Sequence, residues 1–230
     1  MSNTAPAAPT ALSPKDAFQM NRIMRHKLRN HSAGLKMTLH RIQEVLEEVS
    51  SEMADRCSLM LNELEGLEHF TERMDLIFSD LPESEGIMLF NLICDLRRKF
   101  AAKYPLCNLV FEGKECAAMF KNGNIIILAL WELLTNAGEA AGIDGQVTLR
   151  WELEESVKFT VTNSGDDLPE SIPLDPPMPF YTEKGRHDGL GMAIVNRICQ
   201  SMSGNFSLST QSKDKVTAIV ELPREEISDA

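Results

Sequence analysis

Apolar positions in the first third of the chain recur at helical spacing. Leu28, Leu35, Ile42 and Val49 stand seven apart, and Phe18, Met24, Leu39, Val45 and Leu46 widen that stripe. A stricter pattern follows. Met53, Cys57, Met60, Leu64, Leu67, Thr71, Met74 and Phe78 alternate spacings of four and three, as a coiled-coil seam does. The polar stretch from Glu47 to Glu52 is the turn between the two helices. One helical hairpin cannot bury both stripes, but two copies can as a four-helix bundle, so the pattern predicts a homodimer. Packing of both helices on the rest of the chain is the competing arrangement.

Leu81, Pro82 and Glu83 read as a linker, after which the pattern is mixed. Ile87 to Leu89 reads as a strand, Phe90 to Lys103 as a helix and Leu109 to Glu112 as a strand. Asn122 to Ala141 is a long, largely buried helix. Val147 to Glu154 and Val157 to Thr162 alternate as strands do. Gly165 to Asp188, rich in Pro, Gly and Asp, is a loop. Leu190 to Met202 is helical, and Phe206 to Thr210 and Val216 to Leu222 are closing strands. The expected fold class is α+β: an N-terminal helical hairpin forming a dimeric four-helix bundle, then an α/β sandwich with helices on one face of a mixed sheet. The expected divisions are a disordered leader (1–13), the hairpin (14–80) and the sandwich (85–225).

Composition narrows the function. The formal net charge of -11 makes a surface that repels phosphate backbones, so nucleic acid is not an expected partner. The longest apolar run, Ile125 to Leu134, is interrupted by Glu132 and is far short of the roughly 20 residues of a membrane span. Met1 to Ser13 lacks the basic start and apolar core of a signal peptide. The five cysteines form no C-x-x-C pair, which fits reduced thiols in a cytoplasmic protein better than a disulfide framework or zinc site.

Three stretches carry candidate chemistry. Glu132 and Asn136 share one face of an otherwise buried helix, and buried polar groups need partners. A nucleotide with its magnesium ion would supply them; a satisfied pair of core polar residues accounts for them equally well. Asn163 ends an apolar strand, where its amide can meet a base edge and Gly165 lets the backbone approach closely. An ordinary Asn-Ser-Gly turn is the commoner use of such a sequence. Finally, Gly189-Leu190-Gly191-Met192 opens a helix whose N–H groups can cradle phosphates, with Lys184 as a point charge nearby. Neither a Rossmann fingerprint nor a P-loop is present.

Taken together, these stretches resemble the ATP-binding domain of histidine kinases. Glu132 to Ala140 resembles the N box, Asn163 to Asp167 the first glycine box, Pro179 to Lys184 the phenylalanine box and Gly189 to Gly191 the second glycine box, in the family's order. The resemblance implies the ATPase fold shared by gyrase, histidine kinases and mismatch-repair proteins. It implies ATP and Mg2+ as cofactors, with magnesium on Asn136 and nucleotide contacts from Glu132, Asn163, Gly165, Lys184, Gly189, Leu190, Gly191 and Met192. Gly165 to Asp188 would be the ATP lid. Arg25-His26-Lys27-Leu28-Arg29-Asn30 resembles the family's H box. The phosphoacceptor falls on His26, and the residue implicated in dephosphorylating the partner falls on Asn30. Helix geometry favours the same histidine: His26 projects away from the apolar stripe, whereas His31 falls on its flank.

Three positions depart from the pattern. Lys27 follows the phosphoacceptor where an acidic residue is usual, Asn163 replaces Asp, and Asp167 replaces a glycine. The expected function is a two-component histidine kinase that passes the ATP γ-phosphoryl group to His26 and then to a response-regulator aspartate. The partners are then a second copy, a receiver domain and a separate sensor protein. The alternative is a phosphotransferase or receiver phosphatase, or an ATP-binding regulatory scaffold with weak or absent autokinase activity. Lys27 favours the alternative because an ammonium cannot accept the histidine proton.

Overall fold

A computed structural model describes residues 14–47, 50–114, 117–164, 179–180, 188–212 and 215–229. The chain divides into two compact units, residues 1–79 and 80–230.

The first unit is a hairpin of two helices, α1 (Pro14–Glu47) and α2 (Ser51–Phe78). The buried residues of α2 are Ala54, Cys57, Leu61 and Thr71. Met53 and Met60 remain more than half exposed. The expected seam from Met53 to Phe78 therefore merges two faces: Cys57 and Thr71 turn towards α1, while Met53 and Met60 lie on the flank. On α1 the buried positions are Arg25 and Ser32, seven residues apart, and Leu35 and Ile42 are exposed. Polar layers join the helices. Lys36 Nζ donates to Glu68 at 3.1 Å, Gln43 Nε2 donates to Ser58 Oγ at 3.0 Å, and Arg25 pairs with Asp75. The apolar stripe of α1 thus runs beside the helix–helix contact rather than through it.

The second unit is a layered α/β domain. It contains β1 (Ile87–Met88), α3 (Leu89–Lys103), β2 (Asn108–Glu112), β3 (Ala118–Phe120), α4 (Gly123–Ala141), β4 (Gln146–Leu153), β5 (Ser156–Ser164), α5 (Gly191–Ser201), β6 (Asn205–Ser212), β7 (Lys215–Pro223) and β8 (Ile227–Asp229). Five strands form a sheet in the order β2-β4-β5-β7-β6, parallel between β2 and β4 and antiparallel elsewhere. A small antiparallel sheet joins β1, β3 and β8. The helical hairpin followed by an α/β layer is the expected architecture. The sequence reading missed β3 and β8.

The core of this unit follows from strand alternation. Val147, Leu149 and Trp151 on β4, Val157, Phe159 and Val161 on β5, and Val220 and Leu222 on β7 are buried. The apolar side chains of α4 and α5 are buried with them. Close packing fixes Gly138 on α4, since a Cβ there would lie 2.9 Å from the Tyr104 ring.

Candidate functional site

Helix α1 presents one candidate group. His26 and Asn30 are exposed and one turn apart, the spacing at which helical side chains meet. The Asn30 amide Nδ2 lies 3.3 Å from His26 Nδ1. Arg25 holds this turn in place from the opposite side. Its side chain is fully buried, with Nη1 donating to Asn21 Oδ1 at 2.9 Å and Nη2 to Ser79 Oγ at 3.0 Å. Its Nε lies 2.6 Å from Asp75 Oδ1, and its guanidinium sits 5.8 Å from the centre of the Phe78 ring. Arg29 also pairs with Asp75. Successive helical side chains diverge by roughly 100°, so burying Arg25 turns His26 outward. His31 is exposed as well, so exposure does not separate the two histidines. The Asn30 contact does.

The second unit carries a cleft of about 100 Å³. Helix α4 contributes Leu133, Asn136, Ala137 and Ala140, and α5 contributes Met192. The strands contribute Val161, Asn163, Leu208, Val216 and Ala218. Apolar walls of this kind suit a flat aromatic ring. Asn163 stands last in the inward-facing row Val157, Phe159, Val161, Asn163 on a central strand. Its amide makes one hydrogen bond among the described residues, a long one of 3.5 Å from Nδ2 to the Ser164 carbonyl. Its Oδ1 is thus an available acceptor at the wall of an apolar cleft, which fits the exocyclic amine of adenine.

Glu132 is buried, one turn before the half-buried Asn136 on α4. Among the described residues, no three His, Cys, Asp or Glu side chains are grouped for a metal ion.

The turn that leads into α5 is held by two hydrogen bonds. Gly189 has φ +67°, and its carbonyl accepts the Phe180 N–H at 3.0 Å. Asp188 Oδ1 accepts the Leu190 N–H at 3.0 Å. Leu190 occupies the N-cap position, and no side-chain cap bond is made there among the described residues; first-turn N–H groups of a helix are a usual place for an anion. The structure thus brings Asn136, Asn163 and Met192 to one cleft. Gly165 and Lys184, with most of the expected ATP lid, lie outside the described residues. The sequence reading missed the apolar walls from Leu133, Ala137, Leu208 and Val216. No signal in the sequence separates them from ordinary core positions.

Comparison with known proteins agrees with this geometry. Residues 122–226 match the family of histidine kinase-, DNA gyrase B-, and HSP90-like ATPases. All the residues that line the cleft lie within that matched segment. The heme sensor protein HssS of Staphylococcus haemolyticus (strain JCSC1435) is 25% identical over 191 residues, covering 80% of this chain. The chain spans only 39% of that relative's length. The catalytic domain of histidine kinase ThkA is 27% identical, with 61% of this chain and 99% of that one covered at a TM-score of 0.54. A structure of ThkA in complex with the response regulator protein TrrA shares the fold over 90% of this chain and 62% of that one, at 21% identity and a TM-score of 0.60. Over the α/β domain the chain is thus similar to histidine kinase ATPase domains, and over hairpin and domain together it shares the fold of a solved histidine kinase chain. No helix among the described residues is long and apolar enough to cross a membrane.

Proposed function

We propose that this chain is a homodimeric, two-component protein-histidine kinase. ATP seats its adenine in the α4–β5 cleft, with the exocyclic amine donating to Asn163 Oδ1 and the phosphates near the first turn of α5. Magnesium on the Asn136 oxygen would neutralise charge on the transferring group. The imidazole of His26 attacks the γ-phosphorus and ADP leaves. The phosphoryl group then passes to an aspartate of a receiver domain. The observation that carries this reading is an exposed His26 in an H-box-like turn, on the same chain as an ATPase-family cleft.

The exposed apolar flank of the hairpin supports the dimer. Leu35, Val45, Met53 and Met60 are each more than half exposed, and an exposed apolar flank of that length calls for a cover. The complex of ThkA with TrrA supports a receiver as the second partner. Lys27 favours a second reading, a phosphotransferase or receiver phosphatase using the same His26 and Asn30.

Incubation with γ-labelled ATP separates the readings. Acid-labile, base-stable label that is lost in His26→Gln supports the kinase. Label acquired only from a phosphorylated receiver supports the second reading. Label that persists in His26→Gln would reject His26 as the acceptor.

A further inference from the structure

The position after His26 carries a lysine, and Asn30 is the one hydrogen-bonding partner of the His26 ring among the described residues. A neutral imidazole has one nitrogen protonated and one with a free lone pair, and the partner of one nitrogen decides which. The Asn30 amide stands 3.3 Å from Nδ1. A half-turn of that amide exchanges its oxygen and nitrogen in the same space. With the NH2 towards the ring, Nδ1 accepts and the proton sits on Nε2. With the oxygen towards the ring, Nδ1 donates and the Nε2 lone pair points to solvent. Only the second arrangement presents a nucleophile at the unhindered end of the ring, since Nδ1 is crowded by its own Cβ and by Asn30.

We propose that Asn30 is a positioning residue for phosphoryl acceptance: its amide oxygen accepts the His26 Nδ1–H and so makes Nε2 the nucleophile. The idea rests on His26 being the phosphoacceptor. In the step, the Nε2 lone pair forms the bond to the γ-phosphorus. The bond from phosphorus to the bridging oxygen breaks, and ADP leaves with that electron pair. The Nδ1 proton stays on the ring during transfer, held by the amide oxygen, and afterwards leaves to water. A neutral amide orients the ring without taking the proton, as a side chain next to Lys27 must do when no carboxylate is available. The same amide, turned back, offers its NH2 as a donor once the ring has lost the phosphoryl group.

The test is the tautomer of His26 in the full chain, read by 15N NMR under alkaline conditions that keep the ring neutral, with the signal assigned by its loss in His26→Gln. The parent protein should show more pyridine-type Nε2 than Asn30→Ala, and Asn30→Asp, which keeps an oxygen acceptor, should restore or exceed the parent's value. Autophosphorylation should slow in Asn30→Ala by up to about tenfold, the worth of one neutral hydrogen bond. A His26 tautomer unchanged in Asn30→Ala, or shifted towards pyridine-type Nε2, would overturn the proposal. The NMR readout needs no ATP. A tautomer shift without any label on His26 would therefore leave the positioning role standing and count against the kinase reading alone.

Discussion

Asn163 shows how one side chain can serve binding without serving the fold. It occupies an inward position in a row that is otherwise apolar, yet its amide has only one long hydrogen bond among the described residues. Asn163→Leu should leave stability unchanged or raise it, because the leucine completes the row. The same change should weaken ATP binding by about 5- to 150-fold, the cost of roughly 1–3 kcal/mol for leaving the adenine amine without its acceptor. Calorimetric titration with ATP beside a thermal melt checks both halves, and equal affinity in the variant would remove Asn163 from the nucleotide site. Cys199 on α5 gives a pH prediction. Burial pushes its thiol up from 9.0 to about 12. The unfolded chain therefore releases this proton first as pH rises. The thiol's contribution to stability is intact below about pH 9 and is lost between there and about pH 12. Denaturation at rising pH should show stability falling across that window, less steeply in Cys199→Ala. Folded protein at neutral pH should react with thiol reagents at the exposed Cys94 and not at the buried Cys199.

At the scale of elements, legibility followed chemistry. Helix α4 and strands β4, β5 and β7 were readable because their apolar residues repeat with one period and are buried on that period. Strands β3 and β8 have three residues each, too few for any period to register. They form through pairing with each other, a contact between segments far apart in sequence. The contact between α1 and α2 went unread for another reason. It is knit partly by ion pairs and amides, whereas the sequence reading followed apolar residues and assigned their stripes to the contact between two copies. Its strongest layer is Arg25 with Asp75 and Ser79, which ties the turn carrying His26 to the end of α2. Arg25→Ala should cost about 3 kcal/mol. This is the low end for breaking a buried pair, because Asp75 is 28% exposed and keeps Arg29. Chemical denaturation of the hairpin transition checks this figure, and a loss below about 0.5 kcal/mol, ordinary for a surface site, would show that the layer is not a structural tie. The candidate site was more legible than the hairpin contact. Asn136, Asn163 and Met192 do meet in one cleft, since strand ends and helix starts converge there, but its apolar walls look like any other core from sequence alone.

At the scale of the molecule, the hairpin carries two apolar demands and satisfies one internally. Cys57 and Leu61 are buried within the hairpin, while Leu35 and Met60 remain more than half exposed. A second copy can cover that exposed flank by completing a four-helix bundle, and the two classes of position should then respond differently to mutation. Leu61→Ala removes buried methyl groups and should lower stability by about 2–5 kcal/mol, while folded material still dimerises. Leu35→Glu and Met60→Glu place charges where each protomer alone exposes the position to water. They should leave the secondary structure of the protomer intact and shift it towards monomer, because in the dimer the same charges would be buried without partners. Light scattering over a concentration series, beside circular dichroism, separates these outcomes. A parent protein that stays monomeric at all concentrations would reject the bundle. A dimer that survives both glutamate substitutions would move its interface off this flank and return the exposed stripe to the competing arrangement, packing against the rest of the chain.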